Sequence, residues 1–207
     1  LSFFEMTTAM AFDFFAASDV EVAVIETGLG GRLDATNIIT PVLSVVTNIG
    51  LDHTDLLGDT LQQVAREKAG IIKPGVAVVV GERSDEYNSV FEERAREMSS
   101  RLIYAEQEIK LLDQQSVADG QVFEIERCRD AHRFRVQVDL AGEYQRHNVL
   151  TVAAAADYLD RHTALTISRR AFLDGMATAA ASTSLAGRWQ RLSGDPLLIC
   201  DTGHNAH

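Results

Sequence analysis

Three short segments of this sequence concentrate residue types that do chemistry. The first is 26–37, where Glu26 directly follows the apolar run Val20–Ile25 and is itself followed by Gly28, Gly30, Gly31, Arg32, Asp34 and Asn37. A carboxylate at the end of a buried strand is costly unless it is paired or metal-bound, and the glycines permit positive φ and close backbone approach. The second is the polar loop Asn48–His53, which ends in Leu-Asp-His-Thr. The third is Arg66-Glu67-Lys68-Ala69-Gly70, with Lys68 inside an expected helix. Taken singly, each also has a plain reading. A glycine-rich turn is a weak signal on its own, His53 reads as an ordinary loop histidine, and Lys68 as a surface lysine pairing with a nearby acid.

The elements that must position these segments alternate. Ser2 and Glu5 have capping-box spacing and start a helix with Phe4, Met6, Met10 and Phe14 on one side. Val20–Ile25, Leu43–Thr47, Val76–Val80 and Leu102–Tyr104 read as strands, the first three as central ones. Between them, Asp59 is expected to cap a helix running through Lys68 with Gly70 just beyond, and Asp85–Ser99 reads as a surface helix. This strand–helix alternation predicts an α/β fold with a mostly parallel sheet and flanking helices. Gln121–Glu126 and Arg133–Val138 then alternate polar and apolar, with Phe134, Val136 and Val138 on one face, and predict an antiparallel hairpin turning near Arg129-Asp130. Asn148–Asp160 and Ser168–Met176 return to helix. Leu197–Cys200 reads as a last strand after Pro196, opening a second domain, so the expected division is 1–192 and 193–207. In a parallel sheet, ligands bind beyond the carboxyl ends of the strands. The segments 26–37, 48–53 and 201–205 all follow such ends.

Composition narrows the function classes. The 207 residues carry a net charge of −11, which argues against nucleic acid as a partner but not against a small polyanion held by backbone amides. Hydrophobic residues make up 46% and charged residues 24%, as in ordinary globular chains. No apolar run approaches the roughly 18 residues of a membrane span, so no membrane partner is expected. The two cysteines, Cys128 and Cys200, have no CxxC spacing and fit a reducing cytoplasm better than a disulfide framework.

In combination the segments say more. Glu-Thr-Gly-Leu-Gly-Gly-Arg-Leu-Asp-Ala-Thr-Asn (26–37), Gly-Leu-Asp-His-Thr (50–54) and Arg-Glu-Lys-Ala-Gly-Ile-Ile-Lys-Pro-Gly (66–75) occur in that order. Gly142-Glu143-Tyr144-Gln145-Arg146-His147-Asn148, Ala186-Gly187-Arg188 and Asp201-Thr202-Gly203-His204-Asn205 follow. This series resembles folylpolyglutamate synthase, often bifunctional with dihydrofolate synthase, in the Mur-ligase superfamily. The resemblance spans nearly the whole chain.

It implies a ligase that joins L-glutamate to folate, or to dihydropteroate, through an acyl phosphate made with ATP. It implies that Glu26 holds the magnesium bridging the β- and γ-phosphates, that His53 ligates a second magnesium, and that Lys68 is a carbamylated lysine supporting that second metal. Asn148 is implied at the adenine, Arg188 at the phosphates, and Asp201 and His204 closing over the nucleotide. Two positions depart from the family boxes: Tyr144 stands where the family has His, and Ala186 where it has Pro. The family's Gly-Lys-Ser/Thr phosphate loop is also absent, since none of Lys68, Lys73 and Lys110 sits in that context. The loop is therefore expected upstream of Leu1, most of the C-terminal domain beyond His207, and the 207 residues alone are expected to be inactive. A Mur-type cell-wall amino-acid ligase and a non-catalytic nucleotide-binding relative are the competing readings. The glycine run favours the folate branch, and an intact Glu26, His53, Lys68 and Asn148 set disfavours loss of catalysis.

Overall fold

The computed structural model describes residues 1–202. The chain opens with α1 (Phe3–Ala17), capped as its sequence predicts: the Ser2 hydroxyl accepts from the Glu5 amide while the Glu5 carboxylate accepts from the Ser2 amide. Then come β1 (Ser44–Val46), the short α2 (Thr54–Leu57) and α3 (Leu61–Ala69). The cap of α3 is Thr60, one residue beyond the expected Asp59, because its hydroxyl and the Gln63 side chain form a reciprocal box. Next are β2 (Val78–Val80), α4 (Asn88–Glu97) and β3 (Leu102–Tyr104). The three strands form a parallel sheet in the order β1-β2-β3, each joined to the next through helix.

A second set of elements follows: α5 (Ala105–Glu108), β4 (Ile109–Val117), β5 (Gly120–Arg127), β6 (His132–Val138), α6 (Gln145–His162), α7 (Arg169–Ala177), α8 (Ala179–Thr183), β7 (Gln190–Gly194) and β8 (Leu197–Cys200). The expected hairpin is β5–β6, with Phe123↔Val136 and Ile125↔Phe134 in register and Phe123, Ile125, Val136 and Val138 buried. Two strands absent from the sequence reading complete their sheets. β4 pairs antiparallel with β5, but a register shift between Leu111 and Asp113 breaks its alternation, which hides it from a period-two pattern. β7 pairs antiparallel with β8, so Leu197–Cys200 has a neighbour close by in the chain.

One expected central strand is not a strand. Val20–Ile25 is in no sheet, and its valines are exposed, Val22 at 54% and Val24 at 93%. An apolar run becomes a buried strand only when another strand bonds to its edge, and none of the described strands does so. The apolar side of α1 is likewise open, with Phe3 82% and Met10 71% exposed.

The chain divides into two compact units, one of Leu1–Val78 with Ser84–Leu102 and the other of Val79–Arg83 with the residues from Ile103 onward. In the first unit Val64, Ala65, Ala69 and Ile72 from α3 and the following turn are buried with Val46, Val78 and Phe91. In the second, Ile109, Phe123, Ile125, Val136 and Val149 form the core. No helix among the described residues is long and apolar enough to cross a membrane.

Candidate active site

In the first unit, the glycine loop is closed on itself by Asp34. One carboxylate oxygen accepts the Leu29 amide at 2.8 Å, and the other accepts the Thr36 amide at 2.9 Å together with the Thr36 hydroxyl. Partial burial pushes this carboxyl up, but the Thr36 hydroxyl and the amides of Leu29, Thr36 and Gly28 outweigh it, so its pKa lies below the ordinary value. Asp34 is thereby occupied with loop geometry. Gly30, at φ +67°, takes a backbone conformation that a side chain would strain.

Lys68 is half-buried on α3. Burial of its ammonium lowers the pKa below the usual lysine range, and the carboxylates of Asp52 and Glu26 oppose that shift without cancelling it. Glu26, Asp52 and Lys68 therefore share one electrostatic neighbourhood, although they stem from three separate segments. Asp52 was not among the residues expected from sequence; its only signal there was adjacency to His53. His53 itself stands in the left-handed region at φ 48°, at the start of α2. Its amide donates to Asp52 Oδ1 at 2.8 Å, and its Nε2 lies 3.7 Å from Asp52 Oδ2.

No three His, Cys, Asp or Glu side chains among the described residues converge as a ready cation cage. Magnesium does not require one, since it keeps several waters and is commonly held by one or two carboxylates plus substrate phosphates. Glu26 and Asp52, as hard oxygen donors, suit that mode. His53 suits it less by donor type.

In the second unit, Asn148 lies in the first turn of α6 and donates to Gln145 Oε1 at 3.1 Å. An amide side chain offers a donor and an acceptor side by side, the pair needed to read an adenine edge. Tyr144, just before the helix, has its phenol pKa raised by burial and by Asp201, with Arg188 acting in opposition. Tyr144 thus feels the charges of both Arg188 and Asp201. The Gly187-Arg188 turn is tied to the end of β8: Asp201 Oδ2 accepts the Trp189 amide at 2.7 Å, and Thr202 donates to the Gly187 carbonyl through its amide at 2.8 Å and its hydroxyl at 3.0 Å. Glu82, after β2, lies 3.8 Å from His147 Nδ1, beside Asn148 in sequence, a pairing that no motif announced. His204 lies outside the described residues.

Residues 4–156 match the Mur ligase middle domain. The bifunctional dihydrofolate synthase/folylpolyglutamate synthase of Bacillus subtilis is 32% identical over 206 residues, covering 98% of this chain and 46% of that protein. A solved complex of folylpolyglutamate synthase with AMPPCP and folate matches at a TM-score of 0.87 and 33% identity, covering 99% of this chain and 49% of that one. The Mycobacterium tuberculosis folylpolyglutamate synthase complexed with ADP and AMPPCP matches at a TM-score of 0.85 and 32% identity, covering 99% of this chain and 46% of that one. The chain therefore spans about half the length of the relatives it matches. With its glycine loop, its acid-flanked lysine and a family match over most of its length, the chain belongs to the Mur ligase family, whose middle domain it carries, and is similar throughout to folylpolyglutamate synthases.

Proposed function

We propose that this chain is the central part of a cytoplasmic ATP-dependent ligase that adds L-glutamate to folate, with dihydropteroate as a second acceptor. The observation that carries this reading is the middle-domain match over residues 4–156 together with the similarity to folylpolyglutamate synthases over nearly the whole chain. The half-buried Lys68 in the field of the Glu26 and Asp52 carboxylates, where the resemblance implies the family's modified lysine, fits it. The solved relatives with AMPPCP and with folate support the substrate class. The unpaired state of Cys128 and Cys200 supports the compartment.

In the proposed reaction, an acceptor carboxylate oxygen bonds to the terminal phosphorus of ATP as ADP leaves. The glutamate amine then bonds to the acyl carbon, phosphate leaves, and the amine proton is lost. Lys68 takes part as its carbamate: the neutral amine bonds to carbon dioxide, releases a proton and becomes an anion. A lowered pKa favours the neutral amine that this step needs. Glu26 would hold one magnesium, and His53 with the carbamate of Lys68 would hold the second. When bound, magnesium supplies positive charge beside the transferred phosphoryl group. Asn148 orients the adenine, Arg188 pairs with the phosphates, and Asp201 and His204 close over the nucleotide. Residues 193–207 are assigned to the start of the following domain.

The test is to assay the natural protein with ATP, L-glutamate and each acceptor in turn. Glutamate-dependent ADP release with folate or dihydropteroate supports the reading, whereas turnover only with a cell-wall precursor sinks it. The 207 residues alone, which contain no Gly-Lys-Ser/Thr loop, are expected to give no turnover.

A further inference from the structure

The glycine loop and the last turn of α3 are joined by several directed contacts. The Arg32 guanidinium grips the Glu67 carboxylate with a fork, Nε at 3.1 and 3.2 Å from the two oxygens and Nη2 at 3.0 Å from Oε1. The Arg32 amide also donates to the Glu67 carbonyl at 2.8 Å. Asn37 Nδ2 bridges the same two segments, donating to the Arg32 carbonyl at 3.2 Å and the Gly70 carbonyl at 3.1 Å. Lys73 Nζ in turn donates to the Asn37 carbonyl at 2.7 Å. The backbones touch without intervening side chains: a Cβ on Gly70 would collide with the Arg32 backbone, and one on Gly31 would stand 2.9 Å from the Glu67 carbonyl oxygen.

We propose that Arg32, Glu67 and Asn37 form a clasp whose task is positioning: it sets the loop that begins at Glu26 against the helix turn that bears Lys68. Three features favour positioning over bulk stability. The Arg32 side chain is 56% exposed, and an exposed ion pair adds little to folding free energy. The fork has the planar, two-pronged geometry that Lys cannot reproduce, which fixes orientation as well as distance. And Glu67 immediately precedes Lys68, so holding its backbone and side chain together fixes the rotation of that last turn about the helix axis. The clasp lies outside the groups assigned to metal and nucleotide, and its effect on turnover rests on the ligase reading above.

The experiment compares Arg32→Met, Arg32→Lys, Glu67→Gln and the charge-swapped pair Arg32→Glu/Glu67→Arg in the natural protein. Displacing reacting groups by about 1 Å costs on the order of 100-fold in rate, so Arg32→Met and Glu67→Gln are expected to lower kcat by roughly 10- to 100-fold. KM for ATP should move less than about threefold, and the thermal midpoint should shift little. Arg32→Lys should fall between these and wild type, and the swapped pair should recover most of kcat. Amide hydrogen exchange provides the second readout: protection across 28–37 should fall in Arg32→Met while that of the β5–β6 hairpin stays unchanged. Unchanged exchange and kcat in Arg32→Met, or a swapped pair no better than either single variant, overturns the clasp. If the wild-type protein shows no ligase turnover, the ligase reading fails, and the exchange measurement still decides the clasp.

Discussion

Asp52 faces His53 at two points: one carboxylate oxygen accepts from the His53 amide at 2.8 Å and the other lies 3.7 Å from its Nε2. The same carboxylate acts on Lys68. One acid thus sits beside an imidazole on a left-handed backbone and biases a half-buried amine. Residues that orient metal ligands typically matter by 10- to 100-fold. Asp52→Ala in the natural protein is therefore expected to raise the magnesium concentration for half-maximal turnover by about that factor, with a small change in thermal midpoint. A magnesium titration of the variant that matches wild type argues against the role.

Glu26 and His53 make a paired test of the metal assignment. Glu26→Ala removes a hard oxygen donor and should reduce turnover far more than it reduces stability, by several kcal/mol of barrier, on the order of 100-fold or more. His53→Ala should act in the same direction and less severely, since imidazole is the weaker partner for magnesium. Both variants are to be assayed at limiting magnesium beside a thermal melt. Normal activity in both removes the assignment.

Lys68→Ala should abolish measurable turnover in the natural protein, and a short-chain carboxylic acid in the buffer should restore a part of it by supplying the missing anion. Isotope-labelled bicarbonate followed by carbon NMR should show a carbamate carbon in wild type and none in Lys68→Ala. Normal turnover of the alanine variant would return Lys68 to the role of a surface lysine.

The β5–β6 turn carries a pH dependence of known sign. Asp130 accepts from Arg127 Nη2 at 2.6 Å and Nε at 3.0 Å, and its pKa falls to about 2. Because the folded value lies below the unfolded value of about 3.9, the pair favours the folded state above that pH. The contribution is lost as pH falls from about 4 through about 2. Asp130→Asn should flatten the stability profile across that acid window and leave it unchanged near neutrality apart from a constant offset. The group is exposed, so salt should weaken the effect. Urea melts from pH 2 to 7 at two ionic strengths check both statements.

Much of the architecture was legible in the residues themselves. The capping box at Ser2 and Glu5 and the helix ending at Gly70 depend on partners within a few positions, the β5–β6 alternation on an adjacent strand and Leu102–Tyr104 on its apolar run, and each stands where its sequence predicts. The residues at 26, 53, 68, 148, 188 and 201 were singled out by the family resemblance of the motifs that contain them, not by their spacing alone. β4 escaped because one bulge is enough to defeat a period-two pattern.

Val20–Ile25 marks where local reading stops. Its composition suits a strand, but a strand exists only through the neighbour that bonds to it, and composition carries no information about that neighbour. The same limit applies to the site. Sequence by itself determined that a glycine loop, a histidine and a lysine of particular types are present in order. Only the tertiary structure decided that Asp52 faces His53 and, with Glu26, acts on Lys68, and that Arg32 meets Glu67 across 35 positions of chain. Those pairings follow from how the crossovers bring distant segments to one place, and long-range proximity of that kind is a property of packing and not of local propensity.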